Sequence, residues 1–233
     1  MVDLTAEMAQ LWSSLGPAPS GRARVVQFIA ATSGEGASTF AREFARFAAG
    51  RARKPVWLID LDLLGSRQLT DIVIDPTRFG AVGAAAVASP DGSAFFTVQP
   101  PAIAPDGKPW RDSRYLVAHP VGGSRLWVTR FRREALRPDQ APHVVPVADY
   151  WNALRPHAEV VVVDAPAADR ARAGLTVAPF MDLIVLVVAA DGGDAARPIA
   201  LRDAVHAAGG HCAGLVFNRA SLETPKFLKV LLP

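Results

Sequence analysis

The stretch VVQFIAATSGEGAST, Val25 to Thr39, passes from an unbroken apolar run through a Gly-x-Gly turn into helix-forming residues, and its reading decides the fold. A buried strand that ends in such a turn and opens a helix aims successive backbone N–H groups, and the positive end of the helix, at one point where an anion can sit. Gly34, Glu35, Gly36, Ser38 and Thr39 supply that cradle. In the nucleotide phosphate-loop pattern the residue after the last glycine is a lysine that reaches the β- and γ-phosphates, and the next Ser or Thr hydroxyl holds magnesium. Ser38 is present, but Ala37 stands at the lysine position and Ala31 where the first glycine of the standard loop belongs. Alone, SGEGAST also fits an ordinary strand-to-helix turn. The rest of the chain carries the argument.

Working outward, Trp57 to Asp62 (WLIDLD) is an apolar run closing on two carboxylates two residues apart, which project from one face of an extended chain. Such a pair suits a magnesium ion or an attacking water. Val160 to Asp164 (VVVVD) is a second apolar run ending in a carboxylate, followed by Ala165 and Pro166, and it reads as a Walker-B strand. Leu183 to Val188 and Leu215 to Asn218 add two more apolar strands, the last followed by Arg219. Ligands of open α/β sheets bind outside the carboxyl ends of the strands, so Ser38, Asp60, Asp62, Asp164 and Asn218 are expected to converge on one crevice. Each carboxylate taken singly also fits a helix N-cap. Phe40, Phe44 and Phe47 recur at helical spacing in the segment Ser38 to Ala49 and read as core. Strands alternating with such helices predict an α/β fold: a parallel sheet with helices on both faces, of the P-loop NTPase kind.

In this order of motifs the chain resembles the deviant-Walker P-loop ATPases, above all the bacterial tyrosine kinases and related chain-length regulators of capsule and exopolysaccharide synthesis, from about Arg24 to Ala220. Gly34 to Thr39 matches that family's phosphate loop, with Ser33 for its proline and Ala37 for its lysine. Asp60-Leu61-Asp62 is similar to its second acidic motif, with Leu64 in place of the arginine that commonly follows. Asp164-Ala165-Pro166 resembles its Walker-B ending, and Phe217-Asn218-Arg219 its element near the adenine. The resemblance implies nucleotide binding by Gly34, Glu35, Gly36, Ala37, Ser38, Thr39, Asn218 and Arg219. It implies magnesium at Ser38, Asp62 and Asp164, catalytic roles for Asp60 and Asp62 if the chain is active, and ATP or ADP as ligand. Glu7, Gln10, Ser13 and Ser14 stand in an N-terminal helix as a counterpart of the family's Glu/Arg self-association motif, without its arginines.

The kinases of this family phosphorylate a C-terminal tyrosine cluster, whereas this chain ends FLKVLLP and has only Tyr115 and Tyr150. Loss of one charge-assisted contact to phosphate removes about 1.5–3 kcal/mol of binding, and more from a transition state. The resemblance therefore implies a cytoplasmic kinase-like partner, with weak or absent catalysis, of an inner-membrane polysaccharide copolymerase, reaching the membrane through that partner. Two alternatives remain: a division-site or chromosome-partitioning ATPase, which carries a lysine where Thr32 stands here, and an autokinase whose missing lysine is replaced by an arginine such as Arg42 or Arg67.

A chain of 233 residues, half of them hydrophobic, is expected to form one domain, with residues 1–24 as an N-terminal helix and linker. Its longest apolar run is far short of the roughly 20 residues of a membrane span, and no charged-then-apolar leader opens it, which predicts a cytoplasmic protein. Phe227 to Leu232 is a short candidate for an amphipathic membrane contact. The net charge of +3 comes in arginine groups without interleaved aromatics, which argues against nucleic acid as partner. The five histidines show no metal-ligand spacing, and Cys212 reads as a small buried hydrophobe. Residues 89–113, with the turns Pro90-Asp91-Gly92 and Pro105-Asp106-Gly107, read as a long irregular surface excursion with room for a small hairpin; a loop of this length is expected to dock a partner or cover the nucleotide crevice, and removal of Pro90 to Pro109 to leave the fold intact but weaken partner binding. Tyr115 to Ala118 and Arg125 to Phe131 read as strands joined through residues 121–124.

Overall fold

The computed structural model describes residues 3–103, 107, 109–191 and 194–220. The amphipathic candidate at 227–232 and the Pro105-Asp106 part of the second turn lie outside them. In chain order the elements are α1 (Thr5–Ser14), β1 (Arg24–Ala30), α2 (Ala37–Ala49), β2 (Val56–Asp60), α3 (Arg67–Ile74), α4 (Pro76–Phe79), β3 (Ala86–Val87), β4 (Phe96–Gln99), β5 (Leu116–Pro120), β6 (Leu126–Phe131), β7 (Ala141–Val144), α5 (Asp149–Leu154), β8 (Val160–Asp164), α6 (Ala173–Val177), β9 (Leu183–Ala189), α7 (Ala196–Ala207) and β10 (Cys212–Asn218). An eight-stranded sheet runs in the order β10-β9-β1-β8-β2-β6-β5-β3. From β10 to β6 every neighbouring pair is parallel.

β1, β2 and β8 are buried along their whole length, which explains their unbroken apolar reading: a strand covered on both faces has no polar side to alternate with. One face packs under α1 to α4, through Met8, Phe44, Ile72 and the partly buried Phe79. The other packs under α5, α6 and α7, through Trp151, Val177, Leu201 and Val205. On the first face Phe44 of α2 meets Phe28 of β1 at 5.4 Å and Trp12 of α1 at 5.9 Å between ring centroids. The helix phenylalanines are therefore core, as their spacing predicts. Gln27 interrupts β1 with a polar side chain that is 0% exposed, and its carboxamide donates to the Gly174 carbonyl at 3.1 Å.

The expected parallel sheet holds over six strands, and β5 then joins antiparallel to β6, because residues 121–125 are too short for the crossover a parallel pair requires. Two expectations need correction. Cys212 is half-buried, since β10 is an edge strand that the helices cover incompletely, with Leu215 and Phe217 49% and 60% exposed. Residues 89–113 are not simply a surface excursion. They contain β4, which pairs antiparallel with β7 from Phe96↔Val144 to Gln99↔Ala141. They also send Phe95, Phe96 and Val98 into the core. Among the described residues no helix is long and apolar enough to cross a membrane.

Candidate nucleotide site

The carboxyl ends of β1, β2, β8, β9 and β10 share one edge of the sheet, and the loop after β1 lies there at the start of α2. Gly34 and Gly36 have φ of +90° and +101°, which lets successive amides turn to one side. At Gly36 a Cβ would lie 2.2 Å from Asn218 Nδ2, so glycine is required twice over. The loop is held from several elements. Thr32 N–H donates to Glu35 Oε2 at 2.8 Å, and Ser33 N–H and Oγ–H donate to the Asp169 carboxylate at 2.9–3.1 Å. Asn218 Nδ2 donates to the Glu35 carbonyl at 2.9 Å, and the Arg219 guanidinium to the Gly34 carbonyl at 2.7 Å. Arg197 of α7 reaches Thr32 Oγ1 at 3.2 Å. These bonds use the loop's carbonyls and its first amides. The N–H groups from Gly34 to Ser38 donate to no atom among the described residues, and these five residues line a cleft of about 380 Å³.

Ser38, Asp60, Asp62, Asp164 and Asn218 all line that cleft. They converge as the sequence predicts, and the Ser38 side chain hydrogen-bonds Asp164, but the acidic side chains have separate partners. Asp60 is 5% exposed and turns inward, accepting from Asp62 N–H at 2.9 Å and from Gln68 N–H, in the first turn of α3, at 3.2 Å. Asp62 lies beyond the strand end and accepts from Gly65 N–H at 3.0 Å and from Arg170 at 2.6 Å. The two carboxylates are thus separated by the turn, and Asp62 is committed to an ion pair. Asp164, 4% exposed, accepts at Oδ2 from Gln68 Nε2 at 2.6 Å, while its Oδ1 is buried without a partner among the described residues. Burial, followed by the charge of Asp164, pushes Asp60 up to about 8 against the two amides that oppose it. Burial likewise raises Asp164 to about 6, opposed first by the bond from Gln68.

Ser38, Asp60 and Asp164 offer the hard oxygen donors that magnesium requires. As the residues stand they do not fit it. The NH2 of Gln68, a donor, occupies Asp164 Oδ2 at 2.6 Å, its other hydrogen going to the Ser38 backbone carbonyl at 2.9 Å and not to the Ser38 hydroxyl, and Asp62 is drawn away to Arg170. Among the described residues no group of three or more His, Cys, Asp or Glu side chains is gathered to hold a metal. Arg42 does not replace the missing lysine either: its Nη1 is shared between Gln68 Oε1 at 3.0 Å and Asp71 at 2.9 Å. Arg67, Arg170 and Arg219 are the arginines that line the cleft. Gln68, Asp169 and Arg170 escaped the sequence reading. Asp169 and Arg170 follow the Asp164-Ala165-Pro166 ending at a distance a loop search spans, whereas Gln68 sits in no motif.

No protein-family model matches the sequence, and neither does any of the curated proteins. Solved structures do match in fold. The chimerical protein CapA2B2 is 14% identical, with a TM-score of 0.56 over 94% of this chain and 86% of that one. The kinase domain of the Escherichia coli tyrosine kinase ETK is 16% identical, with a TM-score of 0.53 over 94% of this chain and 78% of its own. A nucleotide-binding protein of Archaeoglobus fulgidus, solved in complex with ADP, is 16% identical, with a TM-score of 0.51 over 95% and 74%. The fold is the one that this chimerical protein, the ETK kinase domain and this nucleotide-binding protein share.

Proposed function

We propose that the chain is a nucleotide-binding, kinase-like regulatory domain with little or no phosphoryl transfer, acting as the cytoplasmic partner of a membrane polysaccharide copolymerase. The observation that carries the nucleotide half is the contrast within the cleft. The amides of Gly34 to Ser38 are free to hold a phosphate, while the acidic groups are engaged internally, Asp60 and Asp164 by Gln68 and Asp62 by Arg170. Transfer of a phosphoryl group depends on charge placed against the phosphate oxygens in the transition state, and Ala37 supplies none. Retention of phosphate needs only the cradle and the arginines around it. The fold shared with an ADP-bound protein supports a nucleoside diphosphate as ligand. The partner assignment rests on the sequence resemblance to the exopolysaccharide regulators and on the fold held in common with the tyrosine kinase domains.

The test is calorimetric titration with ADP and ATP beside an ATP-turnover assay. The native protein is expected to bind ADP saturably and to turn over ATP at background. Ala37→Lys restores one charge-assisted contact and tightens binding about ten- to a hundredfold. Gly36→Ala, which drives a methyl into Asn218, abolishes it. Native ATP turnover well above background, or no binding by either the native protein or Ala37→Lys, would sink the reading. Crosslinking in cells tests the partner half: recovery of the chain without a polysaccharide copolymerase would refute that assignment.

A further inference from the structure

We propose that the Gln68 carboxamide stands in for a divalent cation in this cleft, so that the site takes its phosphate ligand without a metal. The inference rests on the nucleotide reading for the identity of the ligand, and on geometry alone for the role of Gln68.

Gln68 is 0% exposed and lies at the start of α3, against the carboxyl ends of β2 and β8. Its orientation is fixed by its partners: Arg42 can only donate, so it faces Oε1, and the Ser38 carbonyl can only accept, so it faces Nε2. Nε2 therefore presents its two hydrogens to the Ser38 carbonyl and to Asp164 Oδ2, while the Gln68 backbone amide serves Asp60 Oδ2. A cation held by the Asp60 and Asp164 carboxylates would compete for two of these oxygens, Asp60 Oδ2 and Asp164 Oδ2. The amide satisfies them without adding charge, and Arg42, itself anchored by Asp71, prevents the carboxamide from turning its oxygen inward. The replacement is incomplete: Asp164 Oδ1 is left buried without a partner among the described residues, an acceptor that a cation would use. With no metal to offset a phosphate, positive charge at the cleft falls first to Arg67, since Arg170 is paired with Asp62 and Arg219 with Asp191.

The experiment uses Mn2+ as a probe, followed by electron paramagnetic resonance, on the native protein, Gln68→Ala and Gln68→Glu, with ADP titrations in magnesium and in chelator. The native protein is expected to leave the free Mn2+ signal unchanged. Gln68→Glu, close to the native shape, places a carboxylate oxygen where the NH2 group was and takes up Mn2+, which also raises its melting temperature; Gln68→Ala, if folded, does the same more weakly. Native ADP affinity stays within about twofold when magnesium is exchanged for chelator. Mn2+ uptake by the native protein equal to that of Gln68→Glu overturns the proposal, as does failure of folded Gln68→Glu to bind Mn2+. A loss of about tenfold or more in native ADP affinity on chelation overturns it too. If ADP binds under no condition, the nucleotide reading fails while the Mn2+ comparison still decides what Gln68 does.

Discussion

Asp60 and Asp164 show how much a residue's chemistry depends on what folds against it. Read in sequence, each is a carboxylate at a strand end; in the fold both are buried and their protons are held more tightly than in water. The direction fixes a pH dependence. Asp60 keeps its proton to about pH 8 in the folded chain, against an ordinary value of 3.8, and Asp164 keeps its own to about 6. Between the ordinary and the raised value the folded chain binds more protons than the unfolded one, so stability falls as pH rises. The contribution is fully present below about pH 4 and is lost by the time the pH has passed through about 8. Urea unfolding from pH 5 to 9 should therefore show declining stability, with a shallower decline in Asp60→Asn. A native profile that rises over this range, or a variant with the native slope, would contradict the burial argument. The loop itself was legible because its glycines, Ser38 and the missing lysine lie within a few residues of one another. Gln68 was not, because its partner Asp164 is 96 positions away and only the placement of α3 joins them.

At the scale of elements, legibility followed burial. Strands covered on both faces announce themselves as apolar runs: the bounds read for β8 coincide with the observed ones, while β2 starts one residue before the run read from Trp57 and ends at Asp60, two residues short of Asp62. Helix α2 was equally plain, since Phe40, Phe44 and Phe47 form one stripe and all three are buried. That stripe clamps α1 to the sheet: Trp12 meets Phe44 and Phe47 at 5.9 and 6.4 Å, and Phe44 rests on Phe28. Phe44→Ala removes the middle ring from this stack and should cost about 3–5 kcal/mol, from lost transfer energy and the cavity left behind. Urea denaturation measures it directly, and a cost below about 1 kcal/mol would mean that α1 closes the gap. What the sequence concealed were the short strands β4 and β7. Each has four residues, β7 contains Pro142, and neither alternates apolar with polar residues over enough positions to announce a strand.

Over the whole molecule, that concealed pair changes how the chain divides into scaffold and surface. Turn signals at Pro90-Asp91-Gly92 and the adjacent prolines make residues 89–113 look dispensable, yet Phe95 stacks on Trp151 at 5.4 Å and meets Tyr150 at 5.0 Å. Phe96 packs edge-on against Phe131 of β6 at 5.3 Å. The segment thus closes the face of the sheet opposite α2, and it does so with aromatic side chains supplied from between two turns. Burial of a phenylalanine is worth about 3–5 kcal/mol against truncation, and a domain of this size is stable by only about 5–15 kcal/mol in total. Deleting Pro90 to Pro109 removes both phenylalanines, Val98 and the pairing partner of β7 at once. The deletion should leave a chain without a cooperative thermal transition by circular dichroism, while Phe95→Leu, which keeps most of the apolar volume, should unfold cooperatively at a lower temperature than the native protein. A deletion variant that melts cooperatively near the native temperature would show that the sheet closes without this segment and would return it to the surface. If the loss is as large as the packing implies, partner docking through this region has to be sought by exchanging its exposed side chains singly, because cutting the segment away removes part of the core.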